Sequence, residues 1–416
     1  DQSKAHECSL EPEEFGTWHH QEIYRAIHSR VSAGEPYDPV MIMEDLESTM
    51  PDQPVIKLVH ELADNALNSG ASMLESYVKT VREKHRRGVV AGIAQGLMDQ
   101  INEGANSDVA DDAISQLMAL NRSGTRHDWS ISEVMHSSIQ AIEQAHEADD
   151  LVGVNTGLSE LSQATGGWHD TDLIVVGARP SMGKTALMLN FAYHADRPAG
   201  IISAEQGKDQ LGLRLISIQG TVDSHRIRTA TLQGSEWSDL TKAVQTLKHR
   251  NIRVNDEPGI NITGIVRQAR EWYYRYGMGC LFVDYAQKIR GSRKGLTRLE
   301  QVTEVIGSLK NLAKELGIPV IALAQVNREV DKRPNSRPSM GDLSDASEIE
   351  KEADMILMLY RDEVYNPETQ DKGLAEIDIA KNRHGPTGVI RTVFQGQFMR
   401  FEELAPRAYR NMAEEA

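Results

Sequence analysis

Two cysteines in 416 residues exclude a disulfide framework. Cys8 lies near the start and Cys280 inside an apolar run, so they do not suggest a zinc site either, and a reducing, cytoplasmic setting is expected. No uninterrupted apolar stretch approaches the roughly 20 residues that a membrane helix needs, so no membrane partner is expected. Neither a signal-peptide pattern, nor tandem repeats, nor a strongly biased segment is found. Positive charge is also lacking: the net charge is −16. Residues 1–150 carry 27 acidic and 11 basic groups, whereas residues 151–416 carry 34 of each, so the imbalance belongs to the first third. Any binding of nucleic acid must then come from local basic loops and not from global charge.

What is present divides by periodicity. The length implies two or three domains. Glu13–Val31, Pro39–Met50, Val55–Asn68 and Met73–Gly104 have helical spacing, as in Ile23/Ile27/Val31 and Leu58/Leu62. This predicts a small all-helical domain over 1–104, in which the adjacent His19 and His20 point different ways and suit structural or surface roles. Residues 105–128 read as a linker with one short apolar stretch around Ile114–Leu120. A helix then starts with a Ser130/Glu133 capping box and a Trp129/Val134 staple. Its stripe, Ile131, Val134, Met135, Ile139 and Ile142, needs a surface on its own chain or on a neighbour.

From residue 153 onward, β-type runs alternate with helical patterns. Strands are predicted at Leu173–Val176, Ala199–Ser203, Ile252–Asn255, Cys280–Asp284, Val320–Leu323, Ile356–Tyr360, Ala375–Ala380 and Val389–Phe394. The alternation implies an α/β domain with a mainly parallel sheet and a hairpin-like C-terminal end.

The first of these strands runs into Gly177-Ala-Arg-Pro-Ser-Met-Gly-Lys-Thr-Ala186, and a helical pattern follows. A strand, a small-residue loop with Gly-Lys-Thr and then a helix is the setting of a P-loop. Ser181, Met182, Gly183, Lys184, Thr185 and Ala186 would cradle phosphates with their backbone N–H groups. Lys184 would reach the outer phosphates and the Thr185 hydroxyl would ligate Mg²⁺. Where the generic motif has its first Gly this chain has Ala178, with Gly177 one position early.

Cys280-Leu-Phe-Val-Asp284 is an apolar strand ending in a carboxylate that could hold the Mg²⁺ or its water shell. Ile201-Ile-Ser-Ala-Glu205 ends in a second acid, suited to orienting water as a general base, or else serving as a solvated or capping Glu. Gln325, closing Pro319–Gln325, suits sensing a γ-phosphate. Lys381 and Arg383 lie in the turn Lys381-Asn-Arg-His-Gly-Pro-Thr-Gly388, which could present cations in trans or be a solvated basic hairpin. Arg328, Lys332 and Arg333 open a long polar stretch running to Glu350, and Lys288–Arg298 is a second basic stretch. Both suit phosphate-backbone contacts, and neither contains an aromatic residue for base stacking.

Together these pieces resemble the DnaB family of replicative helicases. The resemblance is carried by Ala178–Thr185, Val154-Asn-Thr-Gly157, Val283-Asp-Tyr-Ala-Gln287, Leu312–Leu316, Asp331-Lys-Arg-Pro334, Glu350–Asp354, Tyr360–Tyr365 and Lys381–Gly388. It covers essentially the whole chain, with the helical start lacking that family's opening segment. It implies a RecA-like motor over 153–416, a collar over 1–104, and a linker over 105–152 whose helix at about 130–147 docks on an adjacent subunit. It further implies a hexameric ring that uses ATP or another NTP and Mg²⁺ to move 5′ to 3′ on single-stranded DNA, with a loader and a primase as partners. Lys184 and Thr185 would be the Walker A pair, Glu205 the catalytic base, Asp284 the Walker B acid, Gln325 the sensor, and Arg383 with Lys381 the arginine finger. Where the family commonly has Arg-Glu-Ser-Gly in a DNA-contacting loop, this chain has Ser344-Asp-Ala-Ser347; Ser344, Asp345 and Ser347 are the candidate contacts there. A RecA-like DNA-coating recombinase or regulatory ATPase is the alternative, as is a nucleotide-gated assembly factor that does not unwind.

Overall fold

The computed structural model describes residues 10–33, 35–36, 38–49, 55–66, 74–102, 113, 116–117, 130–148, 152–292 and 295–404. The chain divides into two compact units, residues 1–137 and 138–416.

The first unit contains the helices Trp18–Ala33, Pro39–Thr49, Val55–Ala66 and Leu74–Asn102, and no strand among its described residues. The pattern predicted one helix from Glu13. Instead a 3₁₀ turn covers Pro12–Glu14, the chain bends around Gly16, and the helix begins at Trp18. Ile23, Ile42, Leu46 and Val59 form a small buried core. Leu62, expected to share that face with Leu58, is exposed. The Arg30–Asp45 ion pair ties the first two helices together. His19 stacks on Trp18, and the His20 ring meets the Thr17 hydroxyl. The linker at 105–128, Trp129, and the side chains of Glu133 and Ile142 fall outside the described residues, apart from positions 113 and 116–117. A helix does follow Ser130, at Ile131–Ala148.

The second unit is built on one nine-stranded sheet in the order β3-β2-β4-β5-β1-β6-β7-β8-β9. Its strands are β1 Leu173–Ala178, β2 Ala199–Ser203, β3 Ile252–Asn255, β4 Cys280–Asp284, β5 Val320–Gln325, β6 Met355–Tyr360, β7 Leu374–Asn382, β8 Gly388–Gln395 and β9 Arg400–Glu403. The six strands from β3 to β6 pair in parallel, and β6 to β9 in antiparallel. All eight predicted strands are present, and the ninth, β9, was not predicted. A strand covered on both faces reads as a continuous apolar run, which is why β1, β4 and β5 were plain in the sequence.

Alternation sends side chains of β1 to opposite faces. Ile174, Val176 and Ala178 join one core with the helix Lys184–His194, while Leu173 and Val175 join the other with the helix Arg298–Leu316. The latter helix opens with a Thr297/Glu300 capping box and closes at Gly317 in the left-handed conformation. β1 is central, flanked by β5 and β6. The loop after it therefore opens at the C-terminal edge of the sheet, where open α/β sheets hold ligands.

Candidate active site and nucleic-acid loops

The P-loop is shaped by two left-handed residues, Ser181 (φ 69°) and Gly183 (φ 97°). Gly183 precedes the helix Lys184–His194, and no side chain caps that helix start. Its first N–H groups are thus left for an anion. Met182 and Ala186 are buried beneath the loop. Gly177 has a different job: a Cβ there would lie 2.6 Å from Leu343 Cδ2 and 2.9 Å from Met358 Sδ. The early glycine thus serves packing under the loop, and Ala178 belongs to the buried core.

Four predicted residues converge at this loop. Thr185 Oγ1 donates to Asp284 Oδ2 at 2.8 Å. Asp284 is 1 % exposed, and its Oδ1 is buried with no partner. Burial pushes its carboxyl above the ordinary value, against the Lys184 charge and the Thr185 hydrogen bond. Lys184 Nζ donates to Ala324 O at 3.3 Å and lies 4.8 Å from the centre of the Tyr285 ring. Its burial lowers its pKa, while Asp284 and Glu205 oppose that shift. Glu205 stands two residues beyond the end of β2, so it is not on the strand as predicted. Its carboxylate is exposed and makes no hydrogen bond or ion pair among the described residues. A half-buried lysine, a threonine hydroxyl and an unsatisfied carboxylate oxygen are a donor set that fits a nucleotide phosphate with Mg²⁺.

Gln325 ends β5 in register with Ala178 at the start of the P-loop. Its backbone N–H donates to Gln287 Oε1 at 3.1 Å, and its carbonyl accepts from Ser344 N at 3.0 Å. Between them the chain makes a closed excursion, pinned by a Val326–Leu343 bridge and by Asn327 N to Asp342 O at 2.7 Å. That excursion carries Arg328, Lys332 and Arg333. Arg328 is exposed, Lys332 pairs with Glu329 at 2.7 Å, and Arg333 pairs with Asp342 at 2.5 Å. Ser344 Oγ donates to Asn327 Oδ1 at 2.9 Å; Asp345 (φ 63°) starts the short helix Ala346–Glu352, on which Ser347 is exposed. All six candidate DNA contacts thus follow the C-terminal end of β5, the same edge of the sheet as the P-loop.

Lys381 and Arg383 are not brought to this edge. Asn382 is in register with Met355 at the start of β6, and Arg383 N donates to Asp354 O at 3.0 Å. They lie at the N-terminal edge of the sheet, a strand's length from the P-loop: six residues of β1, about 20 Å.

Sequence patterns missed several residues of the site. Arg214, on the helix Lys208–Gly220, is held down in pKa by burial, while Asp284 and Glu205 pull it back up. Gln287 is buried between Gln325 and Ser344, its Nε2 reaching Ser344 O at 3.4 Å. Arg179, inside the P-loop, pairs with Asp331 at 2.5 Å, and Tyr365 donates to the same carboxylate at 2.6 Å. This ties the P-loop to the loop that carries Arg328 and Lys332. Arg179, Gln287, Asp331 and Tyr365 lie in the family-like stretches Ala178–Thr185, Val283–Gln287, Asp331–Pro334 and Tyr360–Tyr365, which gave them no role, and Arg214 lies in none of them.

A P-loop on the central strand, a strand-end carboxylate bonded to its threonine, and a parallel sheet extended by an antiparallel hairpin define an NTP-hydrolysing motor domain of the RecA-like class. Residues 153–403 match the model of the DnaB-like helicase C terminal domain, and residues 1–83 that of the DnaB-like helicase N terminal domain. The chain is 34% identical over 409 residues to the replicative DNA helicase DnaC of Bacillus subtilis, covering 96% of this chain and 90% of that one. It is likewise 34% identical to the replicative DNA helicase DnaB of Geobacillus stearothermophilus, over 96% of this chain and 90% of that one. Among solved structures, a DnaB-like replicative helicase described with its interactions with primase aligns with a TM-score of 0.65 at 29% identity, over 95% of this chain and 94% of the other. The chain belongs to the DnaB family of replicative DNA helicases, NTP-hydrolysing enzymes that bind DNA.

Proposed function

We propose that this chain works as a hexameric ring that moves 5′ to 3′ along single-stranded DNA, each nucleotide site being completed by a neighbouring subunit. One observation carries this: the P-loop and the pair Lys381/Arg383 lie at opposite edges of the same sheet. A cation pair that cannot reach its own chain's phosphates can reach those of the next subunit in a head-to-tail ring.

In this scheme the N–H groups after Gly183 and the Lys184 ammonium bind the phosphates of ATP or another NTP. Thr185 and Asp284 would hold Mg²⁺, which would supply charge neutralisation at the phosphates. Glu205, free of other partners among the described residues, accepts the proton of the attacking water. Gln325 reports the state of the site through its carbonyl to Ser344 and through Gln287, at the base of the loop with Arg328, Lys332 and Arg333. Those cations, with Ser344, Asp345 and Ser347, contact the DNA backbone. The exposed stripe Ile131, Val134, Met135 and Ile139 docks on an adjacent subunit. The functional divisions are a collar over 1–104, a linker over 105–152 and a motor over 153–416. A loader and a primase are the partners, and the setting is cytoplasmic; no described helix is long and apolar enough to cross a membrane.

Strand displacement on forked DNA tests this scheme. ATP-dependent unwinding that needs a 5′ tail and is abolished by Lys184→Ala is expected from a hexamer. Hydrolysis by a confirmed hexamer without unwinding, or filaments on DNA, would contradict it.

A further inference from the structure

Two buried carboxylates stand at the N-terminal edge of the sheet, Asp172 just before β1 and Asp354 just before β6. Each takes hold of one residue of the turn after β7. His384 Nε2 lies 3.2 Å from Asp172, and Arg383 Nη1 donates to Asp354 Oδ1 at 3.0 Å. Asp354 is itself immobilised. Its Oδ2 accepts from Leu173 N at 2.8 Å and from Lys310 Nζ at 2.5 Å, and its side chain is 5 % exposed.

The rest of the support is backbone. Arg383 Nη2 donates to Lys351 O at 2.8 Å, and Lys381 Nζ donates to Glu350 O and Ala353 O, each at 2.6 Å. These carbonyls close the helix Ala346–Glu352, where the helix dipole is negative. Asn382 locks the turn, with Nδ2 donating to Pro386 O at 3.3 Å and Oδ1 accepting from His384 N at 3.1 Å. The Arg383 side chain, held at one side, is still 48 % exposed. One side of the guanidinium is therefore fixed while the remainder faces outward.

We propose that Asp354 is a positioning residue for hydrolysis in the neighbouring subunit, fixing the guanidinium of Arg383 at the distance and angle the neighbour's transition state requires. This rests on Lys381 and Arg383 acting in trans. Asp354 does not touch substrate; it acts through Arg383. Prepositioned charge stabilises a transition state without reorganisation during the reaction, so a loosened finger lowers turnover and spares ground-state binding.

The test uses the full-length assembly, with mant-ATPγS as the ground-state probe and mant-ADP with aluminium fluoride as the transition-state mimic. Asp354→Asn is expected to lower kcat about tenfold or more, with KM and mant-ATPγS affinity within about twofold. The tight aluminium-fluoride complex should be lost, as it should be in Arg383→Ala. If Asp354→Asn fails to fold, Asp354→Glu keeps the charge beside Lys310 while displacing the carboxylate, and should show the same split. Normal turnover in the variant that folds, or ground-state binding lost together with turnover, overturns the proposal. Normal turnover in Arg383→Ala would remove the trans-acting finger itself. An inactive Arg383→Ala beside fully active Asp354 variants would remove only the role of Asp354.

Discussion

Thr185 Oγ1 donates to Asp284 Oδ2 at 2.8 Å, while the other oxygen of the same carboxylate is buried without a partner. A buried carboxylate in that state favours its neutral form, and burial does raise its pKa. Its ionised form costs stability at neutral pH. Asp284→Asn should therefore raise the melting temperature of the nucleotide-free protein by a few degrees while abolishing hydrolysis. Thermal melts beside a phosphate-release assay check both halves; a variant less stable than the parent contradicts the first.

The two glycines of the P-loop should separate by substitution. Gly177→Ala drives a Cβ against Leu343 and Met358, so it should cost about 1–2 kcal/mol of stability and leave nucleotide affinity nearly unchanged. Gly183→Ala strains a backbone at φ 97° where the phosphate would sit, so nucleotide affinity should fall severalfold or more. Titration with a fluorescent nucleotide and thermal melts distinguish them.

How much of this was readable in the sequence depended on how local each signal was. The buried strands declared themselves as apolar runs, and the P-loop as a contiguous motif. β9 did not, because Arg400-Phe-Glu-Glu403 is short, polar and paired on one edge only. The extension of Ile201–Glu205 as one strand was wrong because β2 loses its partner β4 after Ser203, where β4 itself ends at Asp284. Gln287 and Asp354 lay in the family-like stretches Val283–Gln287 and Glu350–Asp354 without an assigned role, and Arg214 lay in none, for a different reason. Each owes its place to crossovers that bring distant segments together, and none lies in a pattern that carries chemistry on its own. The resemblance named Arg383, but its distance from its own P-loop follows only from strand order.

Asp354 should leave a signature in acid. Burial raises its carboxyl, but the hydrogen bonds from Lys310 and Leu173 and the charges of Lys310 and Arg383 outweigh burial and hold it below its ordinary value. A lowered folded-state pKa contributes stability above the unfolded value of about 3.9, and that contribution is lost as pH falls through the folded one. The gap in melting temperature between the parent and Asp354→Asn should therefore be full near neutrality and shrink below about pH 4. A gap that widens in acid contradicts the assignment.

DNA affinity should fall with salt, and Arg328 should account for a measurable part of that slope. Among Arg328, Lys332 and Arg333 it is the one without an ion pair among the described residues. For single strands each phosphate contact contributes about 0.7 to the slope of log affinity against log salt. Arg328→Ala should reduce the slope by about that amount. Anisotropy titrations of labelled single strands at several salt concentrations measure it, and an unchanged slope removes Arg328 from the interface.

Completion of the site by a neighbour is tested most directly by Arg383→Ala, measured for nucleotide binding and for turnover on the same assembled sample. Arg383 is half exposed and about 20 Å from its own P-loop, so the substitution should leave assembly and fluorescent-nucleotide affinity nearly intact. Turnover should be essentially lost. Normal turnover in an intact assembly would contradict a site shared between subunits.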